Sequence, residues 1–217
     1  MTILIFVNGE EPPNGWEWVR GYMSPDAVII AADGGARHIE KLGLTPHIVI
    51  GDLDSLDPEL EKRLAGEDVE FISLPEDKDE TDLELALIFA SRNHEGTIHI
   101  FGATGGRLDQ TVSNILLLSH PDLAGRDVFL VQPHQMAWMV ANETTISGKR
   151  GDLVSLLPLW GDVRVKRTVG LKWPLQNESL YPGPARGVSN TMISEQATVE
   201  IAEGRLLCVH ADHRWNR

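Results

Sequence analysis

His47-Ile48-Val49-Ile50-Gly51-Asp52-Leu53-Asp54-Ser55 is a short apolar run that stops at a glycine and then presents two carboxylates two residues apart. A run of Ile and Val bounded by turn residues reads as a strand buried on both faces, as in a parallel sheet. Residues 3–7, 27–32, 69–74, 97–101 and 127–131 repeat the design. Candidate helices lie between these runs at 35–42, 58–64, 82–92 and 110–119. Strand and helix in alternation predict an α/β domain over residues 1–140, with a parallel, Rossmann-like sheet.

The pattern changes near Ala141. Beyond it no segment has a helical period. Short strand-like pieces at 144–146, 153–157, 163–166, 198–201 and 206–210 are separated by glycine and proline, among them Gly148, Gly151, Pro158, Gly161, Gly170 and Pro174. This predicts a smaller all-β sandwich domain over residues 141–217. A unit that small is near the lower limit for an independent core. It is expected to pack on the first domain or on a second subunit.

Composition narrows the class. The 217 residues are 42% hydrophobic and 24% charged, as in ordinary globular chains. With 19 basic and 32 acidic side chains the formal charge is −13, which repels a phosphate backbone, so no nucleic-acid partner is expected. The single cysteine, Cys208, permits no intramolecular disulfide and sits in an apolar run that reads as core. The N-terminus has no basic n-region. The apolar runs fall far short of the ~20 residues of a membrane helix. A cytoplasmic location with no membrane partner is the expectation.

In open α/β sheets ligands bind beyond the carboxyl ends of the strands. Four successive runs deliver Asp or Gly there: Asp33-Gly34-Gly35, then Gly51 to Ser55, then the acidic stretch from Asp77 to Asp82, then Gly102 to Asp109. In an extended segment Asp52 and Asp54 point the same way and suit one cation. Mg²⁺ takes oxygen ligands, often one or two carboxylates plus substrate phosphates. A surface turn capped by Asp and Ser explains the pair equally well. Asp82 is the third candidate ligand, since crowded carboxylates repel and a divalent cation relieves them. Thr81-Asp82-Leu83-Glu84 also fits a helix capping box. Gly105 and Gly106 would let backbone approach a phosphate and Arg107 has the fork to hold its oxygens, although a plain tight turn is the more common reason for such glycines. Neither a Walker loop nor a good Gly-x-Gly-x-x-Gly fingerprint is present. Trp16 and Trp18 read as packing, His210 and His213 as surface or tail. Ser55 and Ser189 lack an evident His/Asp arrangement for a serine hydrolase.

With these pieces in order, the chain resembles the thiamine pyrophosphokinase family. The motifs are Ala32-Asp33-Gly34-Gly35-Ala36, Gly51-Asp52-Leu53-Asp54-Ser55, Asp77-Lys78-Asp79-Glu80-Thr81-Asp82, Gly105-Gly106-Arg107-Leu108-Asp109-Gln110, Gly170-Leu171-Lys172-Trp173-Pro174-Leu175 and Ser189-Asn190. The resemblance implies transfer of the pyrophosphoryl group of ATP to the thiamine hydroxyl, giving thiamine diphosphate and AMP. It implies Mg²⁺ on Asp52, Asp54 and Asp82, and Asp33 near the thiamine hydroxyl. Thr81, Gly105, Gly106, Arg107, Asp109 and Gln110 would surround the nucleotide, with Arg107 among the catalytic residues. Ser189 and Asn190 would bind thiamine from the second domain, in a homodimer whose sites form between subunits. Members of the family often carry an aromatic residue shortly after the Ser-Asn pair to stack on thiamine. Here Met192 stands in that place, and a thioether also packs on ring faces. Rival readings are a pyrophosphokinase acting on another small alcohol such as a pterin, a non-catalytic metal- or nucleotide-binding module, and a metal-dependent phosphohydrolase.

Overall fold

The computed structural model describes residues 1–54, 56–75 and 77–213, so Ser55 and Glu76 lie outside the described residues. By its contacts the chain divides into two compact units, Met1–Pro133 and His134–Arg217.

The first unit is α/β. Its strands are β1 (Thr2–Phe6), β2 (Val28–Ala32), β3 (Ile48–Gly51), β4 (Glu70–Ser73), β5 (Thr97–Phe101) and β6 (Val128–Gln132). Within this unit they run in the order β6-β5-β1-β2-β3-β4, every neighbouring pair parallel. Ile3, Leu4, Ile5 and Phe6 of the central strand are wholly buried, as a strand covered on both faces requires. The edge strand β4 is half-buried at most.

The helices are α1 (Ala36–Lys41), α2 (Pro58–Leu64), α3 (Asp82–Asn93) and α4 (Leu108–Leu116). Their starts follow capping chemistry. Asp57 accepts hydrogen bonds from Glu59 N (2.8 Å) and Leu60 N (3.2 Å), with Pro58 in the first turn. Thr81 Oγ1 accepts from Glu84 N (3.2 Å), which is the forward half of the box read from the sequence. The Glu84 carboxylate faces His120 at 3.6 Å. Leu83, Ala86, Leu87 and Ala90 put one buried stripe on α3, which packs across β1, β2 and β3. A 3-10 segment over Glu17–Tyr22, which no apolar period announces, carries Trp18 and Tyr22, whose rings pack edge-on against Phe101 of β5.

The second unit contains β7 (Gln135–Val140), β8 (Glu143–Ser147), β9 (Leu153–Leu157), β10 (Val163–Val169), β11 (Gln176–Leu180), β12 (Asn190–Thr191), β13 (Gln196–Glu203) and β14 (Leu206–Ala211). Two antiparallel arrangements result, β12-β9-β14-β7 and β11-β10-β13-β8. Strand β10 buries Val163, Val165 and Thr168 and exposes the residues between them. Both Lys166 and Arg167 face outward because the register with β13 slips there, as at a bulge. Cys208 is fully buried, which holds its thiol far above the ordinary range. His213 is exposed, as a surface reading expects, and His210 is half-buried. They converge on the buried Asp152, whose Oδ2 lies 3.1 Å from His210 Nε2 and whose Oδ1 accepts from His213 N at 2.9 Å. Burial works against the Asp152 carboxylate, yet these bonds and that from Lys149 N hold its pKa below the usual value.

Candidate active site

The chain leaves β1 for β2 on one side and returns for β5 on the other. At such a reversal the loops beyond the strand ends diverge and leave a crevice. A cavity of about 610 Å³ lies there, lined by residues that follow β1, β2, β3 and β5 and by the start of α3. Glu10, Asp33, Asp52, Asp54, Glu80 and Asp82 bring six carboxylates to it, against the cations Arg37, Lys78 and Arg107.

Asp33, Asp52 and Asp82 each offer a carboxylate oxygen, and the three oxygens lie within 4.8 Å of one another. Asp33 directly follows β2, is 5% exposed and adopts φ +46°. Asp tolerates the left-handed region better than most residues, at a cost on the order of 1 kcal/mol. Gly51 makes the approach possible. A Cβ there would stand 2.9 Å from Asp33 Cβ and 3.2 Å from Asp82 Oδ1. Asp82 begins α3, so the Thr81 cap that starts the helix also aims this carboxylate.

The extended segment presumed for Asp52 and Asp54 is absent. Leu53 has φ +66°, which breaks the alternation that would align the two side chains. Asp52 Oδ1 accepts from Asp54 N at 3.2 Å, so the local turn and the acidic cluster coexist. Asp54 lines the same cleft and also an adjoining cavity of about 590 Å³.

Lys78 Nζ lies 2.8 Å from Asp82 Oδ1. Burial disfavours its charge, but the hydrogen bond to Asp82 and the fields of Asp82, Asp52 and Asp33 outweigh that and raise its pKa. Lys78 is thus an internal counter-ion for the cluster. Arg107 closes its fork on Asp109, with Nε and Nη2 donating to the two oxygens at 3.1 and 2.6 Å. Both side chains are largely exposed. The pairing holds Asp109 below the usual carboxylate range. Gly105 (φ +96°) and Gly106 (φ +64°) need the freedom of glycine, and Glu10 packs against Gly105. Thr81 and Gln110 also line the cleft.

In the second unit, Ser189 (φ +55°) is exposed and its N–H donates to Ser155 Oγ at 3.0 Å. Asn190 is buried and its amide is engaged by backbone. Its Oδ1 accepts from Trp173 N (3.0 Å) and Thr191 N (2.9 Å), while its Nδ2 donates to Trp173 O (2.6 Å). Met192 is fully buried, bridged to Leu171, and offers no ring-stacking face at the surface. Trp173, which a core reading would bury, is 48% exposed, with Lys172 Nζ 4.7 Å from its ring centre.

Asn8, Glu10 and Arg37 line the cleft but escaped the sequence reading. The signal for the first two was present. They follow the first strand, where the strand-end rule applies as it does to the other four. Arg37 carried none, since nothing in a helix-opening Arg marks which way it turns.

Residues 19–130 match the family described as "Thiamin pyrophosphokinase, catalytic domain", and residues 143–206 match "Thiamin pyrophosphokinase, vitamin B1 binding domain". The chain is 28% identical over 212 residues to the thiamine pyrophosphokinase of Bacillus subtilis (strain 168), covering 97% of this chain and 98% of that protein. The crystal structure of a thiamine pyrophosphokinase from Bacillus subtilis superposes with a TM-score of 0.86 at 28% identity, over 98% of this chain and 99% of the other. One from Geobacillus thermodenitrificans gives 0.83 at 28% identity, over 98% of each chain. Two domain matches in the right order, supported by full-length relatives, place the chain in the thiamin pyrophosphokinase family.

Proposed function

We propose that the protein is a thiamine diphosphokinase, moving the β,γ-pyrophosphoryl group of ATP onto the thiamine hydroxyl and releasing AMP. The observation that carries the reading is the convergence of Asp33, Asp52 and Asp82 in a cleft at the sheet reversal. Family membership supplies the acceptor.

The donor set suits Mg²⁺, a hard cation bound through oxygens and retaining water and phosphate ligands. Asp52 and Asp82, with Asp54 or Asp33 beside them, would hold it. Bound there, it would neutralise charge on the phosphates. The chain's own residues do the rest. The hydroxyl oxygen of thiamine forms a bond to the β-phosphorus as the bond from that phosphorus to the bridging oxygen of AMP breaks. The hydroxyl proton passes to a carboxylate, Asp33 or Asp82. Gly105 and Gly106 admit the phosphates, and Thr81, Arg107, Asp109 and Gln110 surround the nucleotide, the Arg107 fork exchanging Asp109 for phosphate oxygens. Positioning and charge neutralisation supply most of the rate in such transfers.

Ser189 and Asn190 help to select thiamine, Asn190 by fixing the Trp173 backbone. The first unit is read as Rossmann-like and the second as a sandwich, in a cytoplasmic homodimer with sites between subunits. Exposed apolar side chains support an interface. Leu108, Val112 and Leu116 recur along α4, and Trp173, Val188 and Ile193 stand out in the second unit.

The test incubates protein, ATP and Mg²⁺ with and without thiamine. AMP that forms only with thiamine, and stops reversibly on chelation with EDTA, is the expected result. ADP, free phosphate, or AMP formed only with another alcohol would overturn it.

A further inference from the structure

We propose that His38 is a positioning residue for the nucleotide, holding the Asn8-Gly9-Glu10 loop against the glycine turn and so fixing the cleft that ATP enters. The proposal rests on reading that cleft as the ATP site.

Trp16 Nε1 lies 3.0 Å from His38 Nδ1. An indole N–H only donates, so Nδ1 is the acceptor and the imidazole proton sits on Nε2. His38 Nε2 in turn lies 3.0 Å from Gly9 O and donates to it. Trp16 is 3% and His38 1% exposed, so the bond between them is shut off from water, while the bond to the half-buried Gly9 is partly sheltered. The imidazole is held neutral. Burial first, then Arg37 beside it and Lys41, depress its pKa to about 4 against the opposing pull of the Gly9 bond and Glu11. With no open face and no proton to trade near neutrality, His38 is a strut.

The strut acts on a wall of the cleft. Gly9 N donates to Val7 O (2.9 Å), and Val7 N to Phe101 O (2.9 Å), so the loop hangs on the ends of β1 and β5. Gly9 has no room to shift inward, since a Cβ on it would stand 1.9 Å from Gly102 O. Glu10, next in sequence, packs on Gly105, where a Cβ would lie 3.1 Å from its Oε2. The Trp16 ring reaches Gly102 itself, 3.4 Å from where its Cβ would be. Trp16 and His38 therefore brace both sides of the same opening. Loss of the pin lets Gly9 and Glu10 move relative to Gly105 and Gly106, the backbone proposed to meet the phosphates. Displacement on the scale of an ångström is costly in sites that work by positioning.

Three variants test it: His38→Phe keeps the volume and loses both bonds, His38→Gln keeps an acceptor and a donor, and Trp16→Phe removes one donor. The readouts are melting temperature, kcat, KM for ATP and for thiamine, and calorimetric affinity for ATP with Mg²⁺. His38→Phe is expected to raise the ATP KM and Kd roughly tenfold or more, with thiamine KM within about twofold, and His38→Gln to restore most of the loss. A folded His38→Phe with wild-type ATP affinity overturns the proposal, as does an equal rise in both KM values. If His38→Phe does not fold, Trp16→Phe decides, with the same selectivity expected at smaller size and unchanged ATP affinity counting against it. Wild-type protein that binds ATP yet makes no AMP sinks the proposed function and leaves this proposal to the calorimetry. Wild-type protein that binds no ATP overturns both.

Discussion

Single residues at the cleft are arranged around charge. Among the described residues six carboxylates face three cations, and Lys78 sits 2.8 Å from Asp82 in the position of a resident counter-ion. A divalent cation binding there must displace or outbid that ammonium. Lys78→Gln is therefore expected to tighten Mg²⁺ binding to the nucleotide-free protein by a few-fold, about 1 kcal/mol of removed like-charge repulsion, as read by calorimetry. Weaker binding would instead make Lys78 part of the site's support. One buried and one half-buried histidine carry a second prediction. His38 and His99 both have pKa values lowered to about 4, mainly by burial, against 6.5 for an ordinary histidine. The unfolded chain takes up these protons first, so the stability held above pH 6.5 is lost as pH falls from 6.5 toward 4. The loss is on the order of 2 kcal/mol per residue after screening. His99 packs among the rings of Tyr22, Phe101 and Phe129. His99→Phe should flatten the fall in denaturation midpoint between pH 7 and 5, and an unchanged slope would assign that loss to His38 alone.

At the scale of elements, turns do the aiming. β2 is followed at once by a left-handed Asp33, β3 ends in a glycine with no space for a side chain, and α3 starts on a Thr81 cap that presents Asp82. Gly51→Ala is expected to cut turnover by roughly 100-fold while costing only about 1–3 kcal/mol of stability. Its methyl would meet Asp33 at 2.9 Å and the Asp82 carboxylate at 3.2 Å and push the two apart. Near-normal kcat in the folded variant would show that their spacing is not needed. Strands and helices of the first unit were legible because their apolar runs are long and bounded by turn residues. Pro58–Leu64 and the start of α3 stand where their caps put them. What escaped has physical reasons. Strand β11, Gln-Asn-Glu-Ser-Leu, is an edge strand with one fully buried residue, so no apolar run marks it. Strand β12 is two residues long. The segment Glu17–Tyr22 is a 3-10 turn, whose period differs from the helical one.

The whole molecule joins a unit with an acidic cleft to a β unit whose residues 143–206 match the family's vitamin B1 binding domain. The proposed homodimer has a direct test. If the acids come from one subunit and Ser189 from its partner, mixing inactive Asp52→Asn chains with thiamine-deficient Ser189→Ala chains should recover activity that neither parent shows. Mixed chains that stay inactive after subunit exchange would place each site within one subunit. A net charge of −13 suits a metal site and a cationic acceptor. The sequence by itself determined the strand and helix order, the all-β character of the last third, and the strand ends where acids and glycines collect. Those features are local, written in hydrophobic period and turn chemistry. Only the tertiary structure decided which acids meet. Asp33 stands with Asp52 and Asp82 because Gly51 leaves the gap between two other elements unfilled, while the positive φ at Leu53 takes Asp54 out of line with Asp52. Convergence of residues 33, 52 and 82 is a property of strand order across the sheet, and no single segment encodes it.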